Sequence, residues 1–522
     1  MAVGAQQQGI VLTELEQRIF DRLLAVVDCY APGTQLRVAG GWVRDKLLGK
    51  DSNDIDIALD NGITGQDFCR KVNQYLEWIG EDQKGVGVSK CNPDKSKHLE
   101  TAMMDIFDIR IDFVHLRSEK YAENSRIPTV EFGTAKQDAL RRDLTINSLF
   151  YNINTKSVED LTKRGHEDLK NGRIATPSPA KATFMDDPLR VLRAIRFAAR
   201  FSFTLAEDLK EAASDEDVKS ALRSKISRER IGEEVHRMMS GKDPVSAMCY
   251  IRDLGLFYVV FEFPEKPDPP ALDNHDGLCV LHFEAAWNLA QLIGCAVFSG
   301  GSDPESQRRL CMYSALFYPV RNMVYMVKKS KKDSVVKYII QNSLKYKIGC
   351  DANTITKVHT ASEKFVELIL VLESKGNLET VREKLNDEYL EIPTDLVKRV
   401  LAGLVLCEIK EHWRVALLIS TLSYPQVGSF SQDELHRSKE KYLRVEGLIT
   451  DLGLEGVWDK MKKPLIDGDD IKRVLPNLGG RLVAEWIQRV VKWQLAHPEG
   501  TKEERDEWMK RSQQPKRQKV GM

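Results

Sequence analysis

Asp54 and Asp56 stand one residue apart in Ser52-Asn53-Asp54-Ile55-Asp56-Ile57-Ala58-Leu59, with Ile55 and Ile57 at the alternating positions. Side chains alternate across a strand, so the two carboxylates share one face, about 6–7 Å apart, while the isoleucines point into a core. Carboxylates held so close repel unless a cation lies between them, and hard divalent cations such as Mg²⁺ prefer oxygen ligands. Just upstream runs Leu36-Arg37-Val38-Ala39-Gly40-Gly41-Trp42-Val43-Arg44-Asp45. Residues 36–39 suit a buried strand, and Gly40-Gly41 lets the backbone turn sharply with N–H groups facing a phosphate. Residues 42–48 have helical spacing, stop at Gly49 and carry Arg44. Alone, each pattern also fits a solvated strand end or an ordinary turn. Joined at this spacing, they are the equipment of phosphoryl or nucleotidyl transfer.

Two later stretches supply recognition groups. In Arg141-Arg142-Asp143-Leu144-Thr145-Ile146-Asn147, a helix would set Asp143 and Asn147 on one face at i and i+4. They offer an acceptor and an amide for ribose hydroxyls, with guanidinium groups for phosphate or base; the structural alternative is a surface ion pair. In Asp186-Asp187-Pro188-Leu189-Arg190, a carboxylate stands three residues before a guanidinium. Cytosine and adenine present an amino donor beside a ring-nitrogen acceptor, whereas uracil and guanine present the reverse order. A fixed carboxylate beside a fixed guanidinium therefore accepts C and A and rejects U and G. Because proline suits a first helical turn, Asp187 as a helix N-cap is the structural alternative.

Gly-Gly-x-Val-Arg-Asp followed by Asp-x-Asp resembles the active-site signature of the class II tRNA nucleotidyltransferases (the CCA-adding enzymes, here of eukaryotic type) and of bacterial poly(A) polymerases. Arg-Arg-Asp-x-x-x-Asn resembles the family's ribose-selecting signature. Residues 186–190 resemble its Glu-Asp-x-x-Arg nucleobase-selecting motif, with Asp186 where the family has Glu. Residues 160–169 resemble its hinge, 227–234 its neck-stabilising helix, and 464–471 with Gly479-Gly480 its tail. The resemblance implies template-independent addition of C, C and A to tRNA 3′ ends from CTP and ATP, with release of pyrophosphate. Asp54 and Asp56 would hold two Mg²⁺ ions, with Asp112, or else Glu131, as third carboxylate. Gly40, Gly41 and Arg44 would hold the triphosphate, and Arg141, Arg142, Asp143, Asn147, Asp187, Arg190 and Arg193 complete the nucleotide site. The alternative product is poly(A) on other RNA 3′ ends, but no basic Gly-Arg-Arg-Phe-type run appears around residues 139–152. An HD-type phosphohydrolase is disfavoured because Met312 to Pro319, where its His-Asp dyad belongs, contains neither residue.

The fold class expected is α+β: a small head of mixed sheet and helices, then an elongated all-α remainder. Boundaries are set at 1–152 (head), 153–240 (neck), 241–400 (body), 401–510 (tail) and 511–522 (a basic, disordered end). A proline-rich joint spans 262–275. In the 522 residues, Lys+Arg equals Asp+Glu at 77 each, so RNA must be bound through local basic surfaces. Lys328, Lys329, Lys331 and Lys332, placed on or near a helix, are candidates. Nine cysteines without a C-x-x-C pair form neither a zinc pattern nor a disulfide framework. No apolar run reaches membrane-spanning length. A monomer in cytoplasm or nucleus is expected, with mitochondrial or plastid forms needing a transit peptide from an upstream start.

Asp54→Ala and Asp56→Ala should each nearly abolish nucleotide transfer while leaving the far-ultraviolet circular dichroism intact. Normal turnover by either purified variant would remove the metal assignment.

Overall fold

The structure is a computed structural model that describes residues 9–89, 101–121, 127–299, 303–328, 331–345, 352–373, 378–422, 430–461, 467–476 and 478–512. The chain divides into two compact units, Met1–Glu262 and Phe263–Met522.

The first unit begins with α1 (Glu14–Tyr30), closed at its start by a reciprocal Thr13–Glu16 capping box. Glu16 also accepts from Trp42 Nε1 (3.0 Å) and pairs with Lys46 Nζ (2.9 Å), so it fastens α1 to the next helix. That helix, α2 (Gly41–Leu47), follows β1 (Leu36–Ala39) directly across Gly40. Next come β2 (Ile55–Leu59), α3 (Gly65–Trp78), β3 (Val86–Ser89), β4 (Thr101–Ile106) and β5 (Ile109–His115). Two more strands, β6 (Arg117–Lys120) and β7 (Thr129–Phe132), pair antiparallel with each other, and α4 (Ala135–Leu140) follows. The head closes with β8 (Phe150–Asn152) and β9 (Ser157–Glu159).

Seven strands form one mixed sheet in the order β3-β4-β5-β2-β1-β8-β9. Only β2 and β5 run parallel, with Asp56 in register with Asp112. Neighbouring strands lie about 4.8 Å apart and residues in register share a face, so this pairing brings Asp112 to Asp56 across 56 residues of chain. Ile55 and Ile57 are buried as their alternation requires.

Beyond the sheet the first unit is helical apart from a two-residue parallel pair, β10 (Arg173–Ile174) with β11 (Thr204–Leu205). Its helices include α5 (Gly165–Lys170), α6 (Ala180–Asp186), α7 (Leu189–Phe201), α8 (Glu207–Ser214), α9 (Glu216–Lys225) and α10 (Arg228–Met239). On α7, Leu189, Val191, Leu192, Ala194, Ile195 and Ala198 are buried, the stripe expected of an amphipathic helix. The second unit is mainly helical among the described residues, with helices that include His275–Ile293, Pro304–Phe317, Ala352–Glu373, Val397–Ile409 and Gly480–Ala496.

β4 and β5 form a hairpin, because Phe107 and Asp108 both take positive φ and reverse the chain. The polar stretch after Arg117 contributes the β6–β7 pair, although 122–126 lies outside the described residues. The lysines Lys328, Lys331 and Lys332 lie on an antiparallel strand pair, Val324–Lys328 with Lys331–Ser334, and not on a helix; Lys329 lies outside the described residues. The β-branched and aromatic run Val324-Tyr325-Met326-Val327 accounts for the strand.

Gly40 adopts φ +70°, and a Cβ there would sit 2.7 Å from Arg142 Nη1 and 3.3 Å from the Asn147 carbonyl. Gly49 has a similar φ of +69° with open space around it. Gly40→Ala should therefore lower Tm by more than Gly49→Ala, about 4–8 °C against about 2–4 °C in a thermal melt. Equal losses would mean that the approach of Arg142 to the turn does not matter.

Candidate active site

A cleft of about 610 Å³ opens beside the glycine turn. Its walls carry seven arginines (Arg44, Arg117, Arg141, Arg142, Arg190, Arg193, Arg230) and four carboxylates (Asp56, Glu119, Asp143, Asp187). That cationic excess suits a polyanion such as a triphosphate.

At one end the carboxylates crowd together. Burial, then the charges of Asp54 and Asp112, push Asp56 up to about 6 despite Arg142 nearby. Burial and Asp54 also raise Asp112. Asp56 and Asp112, which resist ionising beside the charge of Asp54, form a donor set that a divalent cation would relieve. Among the described residues, no three His, Cys, Asp or Glu side chains form a ready-made metal cage. An open pair is the arrangement Mg²⁺ uses when substrate phosphates complete its shell. Of these acids only Asp56 lines the cleft itself, and Glu131 is on exposed β7, paired with Lys120 Nζ at 3.0 Å.

The middle of the cleft rests on Asp138, a fully buried carboxylate on α4. Its Oδ1 accepts from Arg141 Nε (2.9 Å) and Nη2 (2.5 Å), its Oδ2 from Arg142 Nε (3.0 Å) and Nη2 (2.8 Å). Burial raises its proton affinity, but Arg142 and Arg141 outweigh that and hold it below the usual carboxylate range. Residues 141–147 are not an α-helix: α4 ends at Leu140, Leu144 is extended, and Thr145–Asn147 form a 3₁₀ turn. The break comes from tertiary bonds, Thr145 N–H to the Ala175 carbonyl and Thr145 Oγ1 to Asp168 Oδ2. The expected pairing survives, with Asn147 Nδ2 donating to Asp143 Oδ1 at 3.1 Å.

Asp143 also accepts from Leu144 N–H (2.9 Å) and from Arg193 Nε (2.8 Å) and Nη2 (2.7 Å). Burial alone would raise its pKa, yet Arg193 and Asn147 bring it down to about 2. With four donors on two oxygens its acceptor sites are filled, so Asp143 holds Asn147 and Arg193 in place. Arg44 is similarly engaged. Its Nε and Nη2 donate to Asp45 and its Nη1 to Asn147 Oδ1 at 2.5 Å, while Phe197 and Phe201 cover its plane. The Gly40 N–H goes to the Leu149 carbonyl rather than into the cleft.

At the far end, Arg190 Nη2 donates to the Arg141 carbonyl (2.8 Å) and Tyr121 Oη (3.4 Å). Tyr121 Oη donates in turn to Glu119 Oε2 at 2.8 Å. Asp187 Oδ1 accepts from Leu189 N–H (3.3 Å), a capping contact at the start of α7, and its Oδ2 from Arg230 Nη2 (3.1 Å). Asp187 and Arg190 both line the cleft but do not pair with each other; their contact is Arg190 N–H to the Asp187 carbonyl.

Residues 36–175 match the family model described as the poly A polymerase head domain, and 202–266 match one described as a probable RNA and SrmB-binding site of polymerase A. A mitochondrial CCA tRNA nucleotidyltransferase of Candida glabrata is 34% identical over 95% of this chain and 95% of its own length. The Saccharomyces cerevisiae protein of the same name is also 34% identical, over 95% and 92%. The chain belongs to the CCA tRNA nucleotidyltransferase family. A solved CCA-adding enzyme in complex with CTP shares the fold, with a TM-score of 0.56, 18% identity and coverage of 95% of this chain and 94% of that one.

For a member of this family, sequence reasoning missed Asp138, Glu119, Tyr121 and Arg230. Asp138 was findable, because it precedes Arg141 and Arg142 at i+3 and i+4 on a helical run. Arg230 was not, since it meets Asp187 across 43 residues. Of the lysines, Lys332 pairs with Asp268 at 3.1 Å, while Lys328 and Lys331 are exposed on the second unit.

Because its native pKa is raised, ionised Asp56 costs stability: the penalty is absent below about pH 4 and complete above about pH 6. With chelator present, Asp56→Asn should raise Tm by a few degrees at pH 8 and by about half as much at pH 5, from a penalty of at most about 3 kcal/mol. Added Mg²⁺ should raise the parent's Tm at pH 8 but not the variant's. A variant that melts like the parent at both pH values would contradict the crowding of these carboxylates.

Proposed function

We propose that this chain builds the C-C-A end of tRNA, adding C, C and A in turn from CTP and ATP with no nucleic-acid template. One observation carries the reading. A single arginine-walled cleft has Asp56 at one end and Asp187 with Arg190 at the other, in a chain matching tRNA nucleotidyltransferases over nearly its whole length. The poly(A) alternative is not favoured, since those full-length relatives carry the CCA name. An HD-type site is also disfavoured. Buried His282 and His359 bond the Ala315 and Ser314 carbonyls, and burial drives their pKa values down to about 3 and 4.

The incoming nucleotide lies along the cleft with its triphosphate against the Gly40-Gly41 turn and the arginine wall. Asn147, braced by Arg44 and Asp143, faces the ribose. Asp187 and Arg190 read the base: the carboxylate accepts from the amino group of cytosine or adenine, and the guanidinium donates to the ring nitrogen. The tRNA 3′-hydroxyl attacks the α-phosphorus and pyrophosphate leaves. Asp54 and Asp56, with Asp112 alongside, would hold two Mg²⁺ ions, which would supply activation of the hydroxyl and neutralisation of the leaving group. Asp112 is preferred to Glu131 on its register with Asp56.

Residues 1–152 serve catalysis and 153–240 base selection, while 241–400 and 401–510 hold the tRNA through its shape and backbone, with Lys328, Lys331 and Lys332 among the phosphate contacts. The chain acts as a monomer. The relatives' names favour a mitochondrial pool, and among the described residues no helix is long and apolar enough to cross a membrane.

Purified protein given tRNA transcripts ending before C-C-A, C-A or A, with each labelled nucleotide, should incorporate C, C and A respectively and reject UTP and GTP. Repeated A addition on an unrelated RNA would favour the poly(A) product. Incorporation of only C or only A would restrict the enzyme to part of the sequence.

A further inference from the structure

We infer that Arg230 is a positioning residue for nucleotide choice, acting through Asp187. This rests on the reading of Asp187 and Arg190 as the base-selecting pair. The carboxylate is held by two donors from different directions, Leu189 N–H on Oδ1 at 3.3 Å and Arg230 Nη2 on Oδ2 at 3.1 Å. The first belongs to the start of α7, the helix that carries Arg190; the second reaches over from α10. A carboxylate has about four acceptor sites, so two remain for a base amino group, and their direction is set by the two donors together. With Arg230 gone, Oδ2 loses its anchor. A competing cation is Arg193, whose charge already interacts with Asp187. Asp187 is then free to turn toward Arg193 and carry its acceptor away from the base.

A second contact on the same helix face shows that α10 does more than pack. Glu234, one turn beyond Arg230 and 3% exposed, accepts from Arg196 Nε (2.6 Å) and lies 3.8 Å from Arg193 Nη1. Arg193 is the bidentate partner of Asp143. One helix face thus fixes the base-reading acid through Arg230 and steadies the ribose-end network through Glu234.

The test is a double-mutant cycle on the full chain, scored by CTP-over-UTP and ATP-over-GTP preference on matched tRNA primers, with Tm measured on the same preparations. Arg230→Met should lower both preferences about tenfold, as expected for a lost charge-assisted hydrogen bond, and Arg230→Lys should recover part of that loss. In an Asp187→Ala background, Arg230→Met should change the preferences no further. Unchanged preference with a lowered Tm would make the pair purely structural and overturn the inference. Equal weakening of all four nucleotides, persisting in Asp187→Ala, would make Arg230 a direct phosphate contact and overturn it as well. If Arg230→Met does not fold, Arg230→Lys decides: a few-fold loss of preference supports the inference and parental preference overturns it. Failure of the underlying reading looks different, because Asp187→Ala and Asp187→Asn would then themselves leave C/A selectivity at the parental level.

Discussion

The middle of the cleft is referred to one buried carboxylate, Asp138, with Arg141 and Arg142. A carboxylate that is 1% exposed is costly to desolvate, and only near-complete pairing offsets the cost. Asp138 achieves it with two side-on guanidinium pairs, which leaves neither arginine free to rotate. Arg142 then reaches the Asn147 carbonyl at 3.1 Å and crowds residue 40 so closely that only glycine fits the turn. The Arg141 backbone takes Arg190 Nη2, setting the guanidinium at the far end of the cleft. Gly40, Asn147 and Arg190 are thereby spaced from a single point.

The remaining groups are held by shared partners rather than by separate anchors. Asn147 lies between Arg44 and Asp143, Asp143 between Asn147 and Arg193, and Arg193 between Asp143 and Glu234. Such a chain leaves each side chain one orientation, which a site choosing among bases by a fixed order of acceptor and donor would require. The carboxylate end follows the opposite rule. Asp54, Asp56 and Asp112 are placed where they repel one another, so a cation between them would be favoured.

Much of this was legible in the sequence because it is local. The Asp-x-Asp alternation, the glycine turn and the amphipathic stripe of α7 each depend on periodicity within a dozen residues. The register of Asp112 with Asp56 was not legible, since it depends on the parallel pairing of β2 with β5, a matter of strand order. Residues 141–147 read as a helix by spacing, yet hydrogen bonds to Ala175 and Asp168 pull Thr145 out of one. Asp143 was assigned to the ribose by type, and that its four donors also make it a brace for Asn147 and Arg193 was not legible. Arg230 sat in a segment assigned to neck stability, and its link to Asp187 appears only in three dimensions.

The account stands most directly on Asp138→Asn, with thermal stability and nucleotide transfer measured on one preparation. The amide keeps the volume but leaves half-buried Arg142 without its ion-pair partner and Arg141 with Glu119 alone, a loss of about 3–5 kcal/mol. A Tm lowered by roughly 6 °C or more, with CTP and ATP incorporation falling together, is the predicted result. A variant that melts and turns over like the parent would show that the cleft does not depend on this carboxylate.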